Sequence, residues 1–206
     1  MTFSPEAASA FLAALDEDWA RLVAAVGPCG HRPRPEREPY EALVRSVAYQ
    51  QLHARAAEAM LGRLLALCDG RFPAPGALLA LGPEALRGCG FSAAKTLALR
   101  GLAEATLDGT VPGLDEALGL DDRALMARLL PLRGVGRWTV EMLLIYTLAR
   151  PDVLPVDDFG VREGYRRLKG LERQPKPREL AELGRAWSPC RTAAAWYLWR
   201  VPAAGI

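Results

Sequence analysis

Leu129–Leu168 reads LLPLRGVGRWTVEMLLIYTLARPDVLPVDDFGVREGYRRL, and the fold of the chain turns on how this stretch is read. It opens on Leu132-Arg133-Gly134-Val135-Gly136, a two-glycine turn between a helical run ending near Leu130 and the apolar run Trp138–Leu148. Glycine tolerates the left-handed region and carries no side chain, so Gly134 and Gly136 can leave backbone N–H groups bare where the next helix starts. Such a helix start attracts a phosphate, because its N–H groups and dipole both favour negative charge. Pro155-Val156-Asp157-Asp158-Phe159 follows: proline stops what precedes it, and two carboxylates open a helix over Phe159–Leu168. Taken singly, these pieces also read as a tight connection and a helix cap. Taken together, they suggest a DNA site with an acid set beside it.

In this order and separation the two pieces resemble the helix–hairpin–helix and Gly/Pro-Asp element of the DNA glycosylase superfamily of that name. The branch they look closest to removes alkylated bases, the 3-methyladenine DNA glycosylase II family. The phrase LRGCGFSAAKTLALRGLAE and the closing Trp187-Ser188-Pro189-Cys190-Arg191-Thr192 with Trp199 carry the same resemblance, which spans roughly Glu41 to Arg200. It implies an all-α, two-lobed helical fold without the extra N-terminal β domain of larger relatives. Residues 36–130 would form a central lobe, and residues 1–35 plus 131–206 a second lobe carrying both hairpin and acid.

The same resemblance implies a set of site residues. Asp158 is the expected catalytic carboxylate; it is preferred to Asp157 because Val161 and Arg162 then fall where the family has an apolar and a basic residue. Arg133, Gly134, Val135, Gly136, Arg137 and Thr139 would hold DNA phosphate. Trp138, Trp199, Tyr49 and Met142 would line the base pocket, an aromatic face being attractive to a cationic methylated base. The best-known members carry an aromatic where this chain has Met142, which implies a wider or differently selective pocket. Tyr49-Gln50-Gln51-Leu52-His53 interrupts an apolar stripe with polar groups, and the resemblance places there the side chain that wedges into the DNA stack, which makes Leu52 the candidate wedge, with Gln51 and His53 as alternatives. Main-chain carbonyls of Leu130, Leu132 and Val135 would bind Na+ or K+, and no other cofactor is required. Relatives that also cut the strand place a lysine where this chain has Trp138, so the expected enzyme is monofunctional, uses water and leaves an abasic site. The expected partner is double-stranded DNA containing an alkylated base, acted on by a monomer.

Composition is consistent with this reading and narrows it little. Half of the 206 residues are apolar, enough for a real core and too many for a disordered chain. The formal charge of +2 does not by itself argue for nucleic acid. Arg162, Arg166, Arg167, Lys169, Arg173, Lys176 and Arg178 crowd one region, readable either as a solvated face or as a phosphate-tracking surface. The four cysteines, Cys29, Cys68, Cys89 and Cys190, are dispersed; only Cys190 lies where some superfamily members carry an iron–sulfur cluster, so none is expected. No apolar run is long enough for a bilayer, and the start has no basic n-region, so no membrane association and a cytoplasmic location are expected.

Along the chain, amphipathic spacing predicts helices over Ser4–Val26, Glu41–Cys68 with a break at Tyr49–His53 that marks a functional surface or a helix junction, Leu78–Leu86, Ala93–Leu107 with Ser92 as N-cap, and Asp121 to Leu130. Glu179–Gly184 and Ala193–Arg200 follow, and the proline-rich connector Gly27–Pro35 is the candidate lobe boundary. Trp19 and Trp196 read as core. Two other functions stay open from the residues: the same fold acting on oxidised, deaminated or mismatched bases, and a hairpin module that binds DNA without catalysis.

Overall fold

The computed structural model describes residues 4–201, and among these it is helical throughout with no strand. In chain order the helices are α1 (Pro5–Ala13), α2 (Glu17–Val26), α3 (Pro39–Tyr49), α4 (Ala54–Ala66), α5 (Pro75–Ala80), α6 (Gly82–Gly88) and α7 (Ala93–Leu107). They continue with α8 (Leu114–Gly119), α9 (Asp122–Leu129), α10 (Arg137–Tyr146), α11 (Phe159–Leu168), α12 (Pro177–Leu183), a 3-10 turn (Gly184–Trp187) and α13 (Arg191–Leu198). None of these helices is long and apolar enough to cross a membrane.

The chain divides into two units, 34–148 and 1–33 with 149–206. This corrects the expected boundary: residues 131–148 belong to the central unit. The reason lies in α10, where Val140, Met142, Leu143, Leu144 and Ile145 are all buried. A helix apolar on nearly every side must be surrounded, and α10 packs on α3 and α9 within residues 34–148. The connector near Pro33 does mark a boundary.

In the central unit, α3 lies between α10 and α7, and α5 packs on α7. Leu43, Val44, Leu64, Leu78, Leu86, Leu99, Leu125 and Leu129 are fully buried there. Ser92 caps α7 as expected, its Oγ accepting from Lys95 N–H at 3.2 Å. Two boundaries differ from the sequence reading. Leu78–Leu86 is two short helices parted at Leu81, just before Gly82 (φ +74°). The segment taken as a linker holds α8, which Arg128 ties to α9 by bonding both Glu116 and the Gly109 and Thr110 carbonyls. Glu41–Cys68 is α3 and α4, broken at residues 50–53 where the polar interruption fell.

In the terminal unit, Ser4–Val26 is two helices, because the Asp16 carboxylate caps α2 by accepting from the N–H groups of Asp18 and Trp19. Leu12, Trp19 and Leu22 are buried all the same. Trp19 and Tyr165 both meet Trp187, at 5.3 and 5.5 Å between ring centroids, and Trp196 is core as read. α12 ends at Leu183 and passes into the 3-10 turn, while α13 ends at Leu198, short of the expected Arg200. Asp152 accepts from Ser188 Oγ and from the backbone and guanidinium of Arg191, fastening the loop before α11 to the start of α13. Burial raises the Asp152 pKa, but these donors outweigh it and hold the carboxyl below its ordinary value.

α11 crosses α13 at Gly164, where a Cβ would overlap the Leu198 carbonyl. Backbone cannot retreat as a side-chain tip can, so Gly164→Ala should destabilise the protein by about 2–3 kcal/mol even after the helix-propensity gain of alanine. A urea unfolding midpoint that stays at the wild-type value would show that this crossing is looser than described.

Candidate functional site

The hairpin is α9, the turn 130–136 and α10. Gly134 adopts φ +79°, and a Cβ there would lie 2.5 Å from Ala98 Cβ on α7. Two demands, backbone conformation and close approach, therefore select glycine at this position. Gly136 is different: at φ −97° it is extended, and a Cβ would meet nothing within 4 Å. Val135 N–H donates to Leu132 O at 3.0 Å, and the Gly136 carbonyl accepts from Thr139 and Val140 N–H to start α10. The turn leaves the N–H groups of Gly134, Gly136 and Arg137 without an acceptor among the described residues, where the α10 dipole favours negative charge.

Of the six residues expected to bind phosphate, two are corrected. Thr139 is 1% exposed and its Oγ1 accepts from Gln50 Nε2 at 2.8 Å, so its side chain faces the protein interior. Val135 is buried and its N–H is engaged within the turn. Arg133 is exposed, and Arg137, largely exposed, reaches back 2.8 Å to the buried Glu141 carboxylate.

The candidate wedge segment joins α3 to α4. Leu52 is 40% exposed, Gln51 is exposed at φ +57°, and His53 is the N-cap of α4, its Nδ1 accepting from Arg55 N–H at 3.4 Å. Beneath them Lys95 Nζ donates to Ala48 O and Gln50 O, each at 2.8 Å. Burial pushes this ammonium below the usual lysine range. Of the expected pocket residues in this unit, Trp138 is half-buried in the first turn of α10, and Met142 one turn on is buried. Met142 therefore offers little accessible surface, and the wider pocket inferred from it loses its footing. Tyr49 ends α3 partly buried; burial, then the nearby Glu58 carboxylate, push its phenol above the ordinary tyrosine value.

In the terminal unit, Asp158 caps α11. Its Oδ1 accepts from Val161 N–H at 2.8 Å and from the Trp199 indole N–H at 2.9 Å. Asp157 is exposed, whereas Asp158 is partly buried. Gly160 makes the indole contact feasible, since a Cβ there would lie 2.9 Å from Trp199 Cδ1 and 3.1 Å from Asp158 Oδ1. The structure thus brings Trp199 to the acid itself.

The family model for HhH-GPD superfamily base excision DNA repair proteins matches residues 44–190, from within α3 to the start of α13. The chain belongs to this family. DNA-3-methyladenine glycosylase 1 of Schizosaccharomyces pombe is 46% identical over 193 residues, 92% of this chain and 84% of that protein. An alkylbase DNA glycosidase-like protein of the same yeast is 36% identical over 93% of this chain and 91% of its own length. Among solved structures, the S. pombe 3-methyladenine DNA glycosylase in complex with abasic DNA matches with a TM-score of 0.89 at 45% identity, covering 94% of this chain and 95% of that one. A DNA-3-methyladenine glycosidase from Bacillus halodurans matches with a TM-score of 0.79 at 32% identity, over all of this chain and 93% of that one.

For this HhH-GPD chain the basic cluster after Asp158 turns out to be largely ion-paired. Arg166 and Arg167 bond Glu163, Lys169 bonds Asp16 and Asp18, and Arg173 bonds Glu179. Hydrogen bonds from Arg166, Gln174 and Arg167 hold the Glu163 carboxyl well below the ordinary carboxylate range. Most of this charge is matched on the protein, which favours the solvated-face reading.

Two contributors escaped the sequence: Gln50 and Gly160. Gln50 and Gly160 act through contacts 84 and 39 residues away, to Gly134 and Trp199, and no local pattern announces them.

The two hairpin glycines should respond unequally to a methyl group. Gly134→Ala is expected to lose about 2–3 kcal/mol of stability, from left-handed strain and overlap with Ala98, and Gly136→Ala less than about 1 kcal/mol. Equal losses in urea denaturation would remove the special status of Gly134.

Proposed function

We propose that the protein is a DNA glycosylase that flips an alkylated purine, 3-methyladenine foremost and 7-methylguanine next, out of duplex DNA and hydrolyses its N-glycosidic bond. The observation that carries the reading is the Asp158 carboxylate, held at the start of α11 by Val161 N–H and the Trp199 indole. A module that only grips DNA needs no carboxylate so fixed, and the S. pombe and B. halodurans relatives named above for 3-methyladenine are glycosylases of this substrate class. The reading has one chain acting alone, on cytoplasmic DNA.

In this reading the central unit holds the DNA backbone and the terminal unit supplies the acid. The N–H groups of Gly134, Gly136 and Arg137 bind a phosphate, which fixes register without reading sequence. Leu52, or its neighbours Gln51 and His53, occupies the space that the departing nucleotide leaves, offsetting part of the few kcal/mol of unstacking. Trp138, Trp199 and Tyr49 offer aromatic surface to the cationic base. The C1′–N bond then breaks with its electron pair going to the base, which leaves neutral because alkylation had made it a cation. Positive charge grows on the sugar, and the Asp158 anion stabilises it, as carboxylates do in sugar hydrolysis. Water adds to C1′, gives up a proton and leaves an abasic site. Trp138 occupies the place of a lysine nucleophile, so no Schiff base forms.

A monovalent cation, Na+ or K+, on the main-chain carbonyls of Leu130, Leu132 and Val135 belongs to the same reading. The donor set fits: Leu130 is the C-cap of α9, at the negative end of that helix dipole. The Leu132 carbonyl keeps a second lone pair beside the one taken by Val135 N–H. Such an ion would stiffen the turn and add positive charge beside the phosphate.

Purified protein is expected to release free methylated purine from methylated duplex DNA, and Asp158→Asn to slow that release by about a hundredfold or more. Binding of DNA with no release from any damaged substrate would instead support a non-catalytic module. Borohydride trapping should give no covalent adduct. Trp199→Phe, which keeps a ring and removes the N–H donor, should lower the single-turnover rate by about 5- to 30-fold with the fold intact; an unchanged rate would reduce Trp199 to a pocket wall.

A further inference from the structure

We propose that Gln50 is a positioning residue: it locks the loop that enters the DNA stack at a fixed offset from the turn that holds the phosphate, coupling backbone capture to opening of the stack. The proposal rests on the reading of residues 50–53 as the stack-entering loop.

Gln50 follows the last residue of α3, and α4 begins at Ala54, so four residues make the whole connection. The Gln50 amide uses both of its hydrogens on the hairpin. Nε2 donates to Gly134 O at 2.8 Å and to Thr139 Oγ1 at 2.8 Å. One partner belongs to the left-handed glycine and the other to the first turn of α10. The peptide between Gly134 and Val135 is thereby held at both edges: its carbonyl by Gln50, its N–H by Leu132 O. A peptide plane held on both edges cannot rotate, so the neighbouring N–H donors keep the direction in which they present themselves.

The main chain of Gln50 is held from the other side. Lys95 Nζ, on α7, donates to its carbonyl and to that of Ala48. α7 also carries Ala98, against which Gly134 sits. Loop, hairpin and α7 are therefore mutually fastened through Gln50, Gly134 and Lys95. Gln51, next along, occupies the left-handed region without being glycine, a conformation that persists only where the surroundings impose it. Leu52, 40% exposed, then stands two residues from an end of the loop that is held on both sides.

The functional consequence is entropic. A wedge on a free loop must find the gap in the stack from many positions, whereas one tied to the phosphate-holding turn arrives already placed. A filler of the same volume would pack equally well, but it would supply neither hydrogen bond.

The test is single-turnover base release from two duplexes with the same methylated purine, one in a normal pair and one in a bulge where the base is already unstacked. Gln50→Leu removes both donors at similar size. It should slow release from the paired duplex by about 10- to 30-fold and from the bulge by less than about threefold, given the usual worth of two hydrogen bonds. Thr139→Val removes one acceptor and should give about a fivefold loss in the same direction, with thermal melting of each variant recorded alongside. Equal slowing on both duplexes, or none on the paired one, overturns the assignment of Gln50 while leaving the glycosylase reading standing. Silence of the wild-type protein on both duplexes sinks the glycosylase reading and this inference with it.

Discussion

The contact between Gly134 and Ala98 is the constraint from which the central unit takes its form. At φ +79° and with Ala98 Cβ where its own Cβ would be, Gly134 brings the hairpin turn down onto α7. Its carbonyl then falls within reach of Gln50, and its N–H is left with no acceptor among the described residues. A side chain at this one position would lift the turn, break the amide bridge and redirect the donors together. The close packing of backbone at the turn, where the proposed phosphate contact falls, is thus the same packing that positions the loop between α3 and α4.

The terminal unit uses the same device at Gly160 and Gly164. Gly164 lets α11 rest on the Leu198 carbonyl of α13, which carries Trp199, the next residue, toward the start of α11. Gly160 clears the space into which its indole fits, and the indole N–H meets Asp158 Oδ1 at 2.9 Å. An acid capping its own helix is ordinary; an acid capped from outside by an indole, through a gap kept open by a glycine, is a carboxylate with a fixed orientation. That orientation is what a charge-stabilising role requires, since preorganised groups need not rearrange as charge develops.

Charge is handled differently in the two settings. Around α11 most cations meet acids of the protein itself, at Glu163, Glu179, Asp16 and Asp18, so the sequence cluster does not translate into a strong positive field. At the hairpin the donors are backbone N–H groups, which carry no formal charge. The modest net charge of +2 fits the proposed reading, in which backbone dipoles at the hairpin share the holding of phosphate with Arg133 and Arg137.

By itself the sequence marked the helical runs, the two-glycine turn and a carboxylate pair opening a helix, while the fold class and the choice of Asp158 within the pair came through the family resemblance. The former are local signals: apolar spacing, two glycines in a turn, a proline before two carboxylates, Ser92 ahead of α7. The sequence also placed a break near Gln50, because a polar interruption in an apolar stripe is visible in one dimension. Only the tertiary structure decided which unit owns the hairpin, because α10 looks alike whether it closes one lobe or opens the next until α3 is seen beside it. It likewise withdrew Thr139 and Val135 from the phosphate set, buried Met142, moved Trp199 onto Asp158 and gave Gln50 and Gly160 their parts. Each of these depends on which residues distant in sequence become neighbours, and spacing along a chain records only the neighbours within a turn or two of helix.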